Sequence, residues 1–333
     1  MCREVVTIIR SYGSFHIDSF QPYRGLQNGH LQTIVPALFL HPPPIEYTRQ
    51  RVQTPDGDFI DLDWNYGDPQ APIVLALHGL EGCSRSGYIL RLMHALRVVR
   101  WNGCVLNFRG CSGEPNLLLR SYHSGDTSDL DYVIRGFIRE NPQVKIFLTG
   151  FSLGGNVLAK WLGEQGQHAP SQVKGACMCC APFDLARCQE NIDQGFNLIY
   201  AWKFLRTLKR KALQKARRFP DAFDLNRVLF SRTIGEFDDV FTSPIHGFKS
   251  YLHYYTEASS KPLLKNIHVP ALILQAKDDP LIPACVIPKR EEINTDSTIV
   301  HTLPSGGHIG FLDQNLKTGW LTEQVMKWFH ALL

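Results

Sequence analysis

Ser152 stands in G-F-S-L-G-G (150 to 155), between the apolar run KIFLTG (145 to 150) and a helical pattern that begins near Gly155. A strand entering and a helix leaving such a pentad force a tight, strained turn, and glycines at 150 and 154 remove the Cβ atoms that would clash inside it. The serine is lifted to the top of the sheet, where it can act as a nucleophile. A serine there can also merely cap the helix, but the strand before and the helix after favour the nucleophile.

A serine hydroxyl is a weak nucleophile until a base takes its proton and a third group fixes the tautomer of that base. His308, in S-G-G-H (305 to 308), follows the last strand pattern, and Asp278 and Asp279, in K-D-D-P (277 to 280), follow the strand before it. Adjacent acids point apart, so only one of them can orient an imidazole. Asp279, followed by P-L-I-P, is preferred; Asp278 is the alternative, and Asp184 ranks behind both. His301 alternates within the strand pattern STIVHTL, and His78, in H-G-L-E-G (78 to 82), reads as structural. Attack on an acyl carbon creates an oxyanion, for which the backbone N–H groups of Leu80 and Leu153 are the expected donors. The chemistry so described is cleavage of a carboxylic ester through an acyl-enzyme. The same triad in an acyltransferase, or a non-catalytic ligand-binding scaffold, are the alternatives.

The elements that must position these residues alternate along the chain. RVQTPDGDFIDLDWNYGD (51 to 68) reads as an antiparallel hairpin around P-D-G. IVLALHG (73 to 79), CVLNFRG (104 to 110), KIFLTG, VKGACMCCAP, ALILQAK (271 to 277) and STIVHTLP (297 to 304) read as buried strands. Between them, Ile89, Leu92, Met93, Leu96 and Val99 fall on one helical face, as do Leu130, Val133, Ile134, Phe137 and Ile138. Leu158, Trp161 and Leu162 mark a third helix, and Leu321, Val325, Trp328, Phe329 and Leu332 a last one. Such alternation predicts a mostly parallel sheet with helices on both faces. The expected division is an extension packing on the core (1–50, with an irregular opening), the α/β core (51–182 and 263–333) and an inserted helical cap (183–262) before the last two strands.

Composition excludes several classes. With 44% hydrophobic and 20% charged residues, no low-complexity tract and no repeat, disorder and solenoids drop out. The opening MCREVVTIIRSYGSF has too short an apolar run for a signal peptide, and IVPALFL (34 to 40) falls far short of the about 20 residues of a membrane span. Nine cysteines, three of them (Cys177, Cys179, Cys180) in one apolar run, fit free buried thiols in a reducing compartment. No zinc-type spacing, phosphate loop or dinucleotide fingerprint is present, so neither metal nor cofactor is expected, and no nucleic-acid partner. Net charge is +4, yet residues 203 to 218 hold eight Lys and Arg and no acid, leaving the rest near −4. Phe196, Ile199, Trp202, Phe204, Leu205 and Leu208 interleave with that segment. One reading is a cap helix with its apolar face over the site and its charges in water. The other is a peripheral contact of an otherwise cytoplasmic protein with an anionic membrane surface.

R-G-L-Q-N-G-H-L-Q-T (24 to 33), P-D-G-D-F (55 to 59), H-G-L-E-G, F-R-G-C-S-G-E-P-N (108 to 116), Y-H-S-G-D-T (122 to 127), G-F-S-L-G-G, E-F-D-D (236 to 239), A-K-D-D-P-L-I-P and G-G-H-I-G-F (306 to 311) occur in this order. Together they resemble the YheT-type branch of the α/β-hydrolases, serine-hydrolase-like proteins that include lipid-acting members in animals. The order Ser…Asp…His is that of the fold. The resemblance implies triad roles for Ser152, Asp279 and His308 and hydrolysis of carboxylic or lipid esters without metal or cofactor.

Overall fold

The computed structural model describes residues 15–40, 42–315 and 319–333; the charged and apolar run at 1–14 lies outside the described residues. The apolar runs form β1 (Thr48–Gln53), β2 (Phe59–Asn65), β3 (Ile73–Leu77), β4 (Asn102–Asn107), β5 (Ile146–Phe151), β6 (Val173–Cys179), β7 (Ala271–Ala276) and β8 (Thr298–Leu303). They join in one sheet, in the order β1-β2-β4-β3-β5-β6-β7-β8. From β3 onward all pairings are parallel, while β1–β2 and β2–β4 are antiparallel. The hairpin expected over 51 to 68 is β1–β2, turning through Gly57 at φ +82°. Asp61 and Asp63, buried on β2, are each gripped by the arginine facing them on β1, Arg51 and Arg49, at 2.7–2.8 Å.

A parallel sheet must be covered on both faces, and two cores do this. Helices α3 (Ser128–Glu140) and α4 (Leu153–Gln165) bury Leu130, Val133, Ile134, Phe137, Leu158 and Trp161 on one side. Helix α2 (Gly87–Val98) and the last helix, α9 (Trp320–Ala331), bury Ile89, Leu92, Met93, Leu96, Val325 and Trp328 on the other. Val99 does not join its face: it caps α2 at the C-terminus and is exposed.

The opening is not wholly irregular. Gly29–Phe39 form helix α1, with the Asn28 side chain accepting from the N–H groups of His30 and Leu31. Pro36 lies inside it and cannot bond the carbonyl of Gln32, and the glycine at 310 packs against that carbonyl, where a Cβ would come within 1.7 Å of the oxygen. Between β6 and β7 run α5 (Leu185–Ile192), α6 (Leu198–Arg218), α7 (Leu225–Phe230), a π-helical turn (Asp238–Thr242) and α8 (Tyr251–Ala258). This layer has a small core of its own, including Ala201, Leu205, Val228, Phe237 and Phe241. Among the described residues no helix is long and apolar enough to cross a membrane.

Arg109, buried at the end of β4, fastens three elements. It donates to Asp129 at the start of α3 (2.7 and 2.8 Å), and to Asp56 (2.8 Å) and Asp58 (3.2 Å) in the β1–β2 turn. Burial pushes Asp56 up, but its hydrogen bonds to Arg109 and Thr54 outweigh this and hold it at about 2. That stabilisation is therefore full above the ordinary aspartate range and is lost as pH falls toward 2. Arg109→Met strands the buried carboxylates and is expected to cost about 3–5 kcal/mol in urea unfolding, with a weaker dependence on acid below pH ~4.

Candidate active site

The turn between β5 and α4 holds Ser152 at φ 51°, ψ −124°, a strained conformation for a residue with a side chain. The space for it exists because Cβ atoms are missing around it. A Cβ on Gly150 would lie 2.3 Å from the carbonyl oxygen of Gly154, and one on Gly154 2.6 Å from that of His78. Ser152 donates its N–H to Cys179 on β6 (2.9 Å) and lines a cavity beneath the helices that follow β6.

His308 lies in the loop after β8. Its Nε2 is 2.9 Å from Ser152 Oγ and its Nδ1 is 2.8 Å from Asp279 Oδ2. The other oxygen of Asp279 accepts from the N–H groups of Leu281 (2.8 Å) and Ile282 (3.1 Å). Asp278 turns away from the imidazole and accepts from Gly307 N–H at 3.0 Å; burial raises it above the ordinary aspartate value. The two adjacent acids therefore hold the same loop, one by its ring and one by its backbone. Asp184 is elsewhere, capping α5, and His301 is within β8. His78 is buried and pushed down to about 4 by that burial; its Nε2 accepts from Phe108 N–H, which leaves Nδ1–H for the Gly79 carbonyl.

Leu153 opens α4, so its N–H is one of those that a helix start leaves without an intrahelical partner. Leu80 follows Gly79, whose missing Cβ would sit 3.1 Å from Ser152 Cβ; the loop thus passes directly beside the serine. That loop is braced twice. Gly79 N–H donates to Tyr88 Oη (2.8 Å), and Glu81, at φ 54°, pairs through N–H and carboxylate with Tyr122 Oη. Lys211 of α6 then reaches Glu81 at 2.7 Å.

Two results differ from the sequence reading. Helix α1 was not anticipated as part of the site, yet Thr33 Oγ1 accepts from His308 N–H (2.9 Å) and Gln32 bonds both backbone groups of Leu312. Its signal was the cap-and-helix pattern in Q-N-G-H-L-Q-T. The charges of 203 to 218 are not all in water. Lys211 and Lys215 face the cavity, where Lys215 meets Asn116 Oδ1 (2.7 Å) and the Leu118 carbonyl, and Arg218 donates to the carbonyls of Asn116 and Leu117. Burial lowers Lys215 to about 8.

One cluster has metal-ligand chemistry among the described residues: Cys180, Asp279 and His308, with donor atoms within 4.8 Å. Asp279 and His308 are already bonded to each other, and burial raises the Cys180 thiol well above its ordinary value, so the set is a poor fit to a cation.

The model of the alpha/beta hydrolase fold family matches residues 72–314. The chain is 39% identical to the Escherichia coli (strain K12) protein named "Putative esterase YheT", over 94% of each chain. It is 30% identical to the Homo sapiens protein named phospholipase ABHD3, over 89% of this chain and 74% of that one. Among solved structures, the Pyrococcus furiosus esterase Pf2001 superposes with a TM-score of 0.55 at 13% identity, covering 88% of this chain and 99% of that one, a likeness of fold.

A Cβ on Gly29 would lie 1.9 Å from the Asp278 carbonyl oxygen, so Gly29→Ala must push α1 off the loop it supports. The expected outcome is a loss of about 10²-fold in the reactivity of Ser152 toward a fluorophosphonate, with unchanged far-UV circular dichroism. Wild-type reactivity would show that α1 does not position His308.

Proposed function

The chain belongs to the alpha/beta hydrolase family, and on that premise we propose that it is a serine hydrolase cleaving carboxylic esters, with Ser152 as nucleophile, His308 as general base and acid, and Asp279 as the orienting acid. The observation that carries this reading is the unbroken line of hydrogen-bond distances from Asp279 Oδ2 through the imidazole to Ser152 Oγ, at 2.8 and 2.9 Å. In the resting form Nδ1–H donates to Asp279, which leaves Nε2 to accept the serine proton.

Ser152 Oγ attacks the acyl carbon while its proton passes to His308. The oxyanion is met by the N–H groups of Leu80 and Leu153. The imidazolium, steadied by Asp279, returns the proton to the leaving alcohol. Water, activated by the same imidazole, then hydrolyses the acyl-enzyme. No step calls for a metal or cofactor.

The wall near Ser152 supports an acyl group as the part of the substrate held there. Leu185, Ile192, Phe204, Leu208, Phe237 and Phe241 line it with hydrocarbon. The names of the relatives, an esterase and a phospholipase, agree with an ester of a fatty acyl chain as the substrate class.

A fluorophosphonate probe should label the wild type and not Ser152→Ala; equal labelling of both would remove the serine from its role. Asp279→Asn should lower kcat on an acyl ester by about 10⁴, whereas Asp278→Asn should lower it far less. The reverse order would move the orienting acid by one residue. A chain-length series of esters, with Ser152→Ala as the blank, measures the acyl group that the cavity accepts.

A further inference from the structure

Helix α6 has two faces with different fates. Phe204, Leu208, Lys211 and Lys215 turn inward to line the cavity. On the outside, Phe196, Leu198, Ile199 and Trp202 are 54%, 44%, 52% and 63% exposed. Four large apolar side chains within seven residues make a patch of the kind that marks an interaction surface. Directly after it, Lys203, Arg206 and Arg210 are exposed as well, and α6 holds no acid. Positions 199, 202, 203, 206 and 210 follow the helical repeat, so the apolar and cationic groups share one stripe. The guanidinium of Arg206 lies 6.0 Å from the centroid of the Trp202 ring.

The charge of this stripe selects its occupant. A second copy, docked about a two-fold axis, would set the same acid-free basic helix against itself. An anionic bilayer satisfies both halves: indole and phenyl rings sit at the headgroup level, and Lys and Arg extend along them to the phosphates. The stripe also adjoins the site. The Phe196 ring is 4.6 Å from that of His30 on α1, His30 Nδ1 is 3.1 Å from Tyr200 Oη on α6, and α1 carries the Thr33 that holds His308.

We propose that the outer stripe of α6 and the turn before it, from Phe196 to Arg210, seats the protein on the surface of an anionic lipid bilayer, with its apolar end inserted and its basic residues among the headgroups. This relocates the surface expected from composition alone. Lys211, Lys215 and Arg218 are committed inward, so the membrane face is the N-terminal part of the helix rather than 203 to 218 as a whole. The inference goes beyond the esterase reading and does not need Ser152 to be a nucleophile.

The test is co-sedimentation of the full chain with vesicles of phosphatidylcholine, with and without phosphatidylglycerol. The wild type should bind the anionic vesicles at least tenfold more tightly than the neutral ones and should release with added salt. Each basic residue near such a surface is worth about fivefold in binding, so Lys203→Glu/Arg206→Glu should lose more than tenfold. Ile199→Glu/Trp202→Glu should abolish binding. All four side chains are exposed, and an unchanged melting temperature confirms that the variants are folded. No binding by the wild type, or equal binding by folded variants, would overturn the proposal. So would a concentration-dependent dimer that Ile199→Glu/Trp202→Glu dissolves, which would give the stripe to a second copy.

Discussion

The backbone of Ser152 is held at φ 51° between a buried strand and a buried helix, and the neighbouring elements are arranged around it. Such a conformation costs on the order of 1–3 kcal/mol and persists only where its surroundings over-determine it. Here they do so on every side. Gly150, Gly154 and Gly155 allow β5, α4 and β3 to approach to backbone contact, and Ala181 closes against Gly155. From this turn the order spreads along α4. Asn156, one turn in, donates to the carbonyls of Ser124 and Ala258 and accepts from Ser260 N–H and Oγ. A single buried amide thereby links the serine turn to the end of α8 and to the 122–127 loop.

The helices over the site are fastened to the core by polar contacts as well as by the packing of Cys188, Tyr200 and Phe204 against it. Lys215 and Arg218 fix α6 to the carbonyls of the loop that follows β4, and Lys211 fixes it to Glu81 beside the serine. In the π-helical turn Asp238, raised to about 6 by burial, accepts from Tyr255 Oη and Thr242 Oγ1, each at 2.6 Å. Polar bonds of this kind are directional, so they set the position of α6 over the cavity, where an apolar contact would let it slide.

The strands, their order along the chain and the Ser, Asp and His were legible because their signals are local. A run such as IVLAL, short and bounded by turn residues, suits a strand covered on both faces, and polar residues after such runs fall at strand ends. Asp278 and Asp279 could not be separated with equal sharpness, since one residue of register decides which carboxyl meets the ring and which meets Gly307 N–H. Helix α1 was hidden by Pro36, and its part in the site rests on backbone packing at Gly29 and at the glycine of position 310, which no side-chain pattern advertises. The basic segment misled in a different way. Leu208, Lys211 and Lys215 share a face by helical spacing, but lysine is so seldom buried that such a face reads as solvated. Only the acceptors opposite it, Glu81 and Asn116, explain its direction.

The contact between α1 and the His308 loop also sets an order of events. Thr33 and His308 are 275 residues apart, so their hydrogen bond closes nearly the whole chain on itself. On the ribosome α1 emerges early, long before its partner loop, and must wait for β7 and β8 before Gln32 and Thr33 find their bonds. Contacts of such span form late, because the entropy of closing the intervening chain is repaid only once the intervening sheet exists. The serine turn leans on β3, β6 and Ala181, all of which precede β7 in the chain, so its supports are present well before then. Nascent chains would thus hold the Ser152 turn before His308 exists to meet it, and the two come together only when the last strands and α1 close.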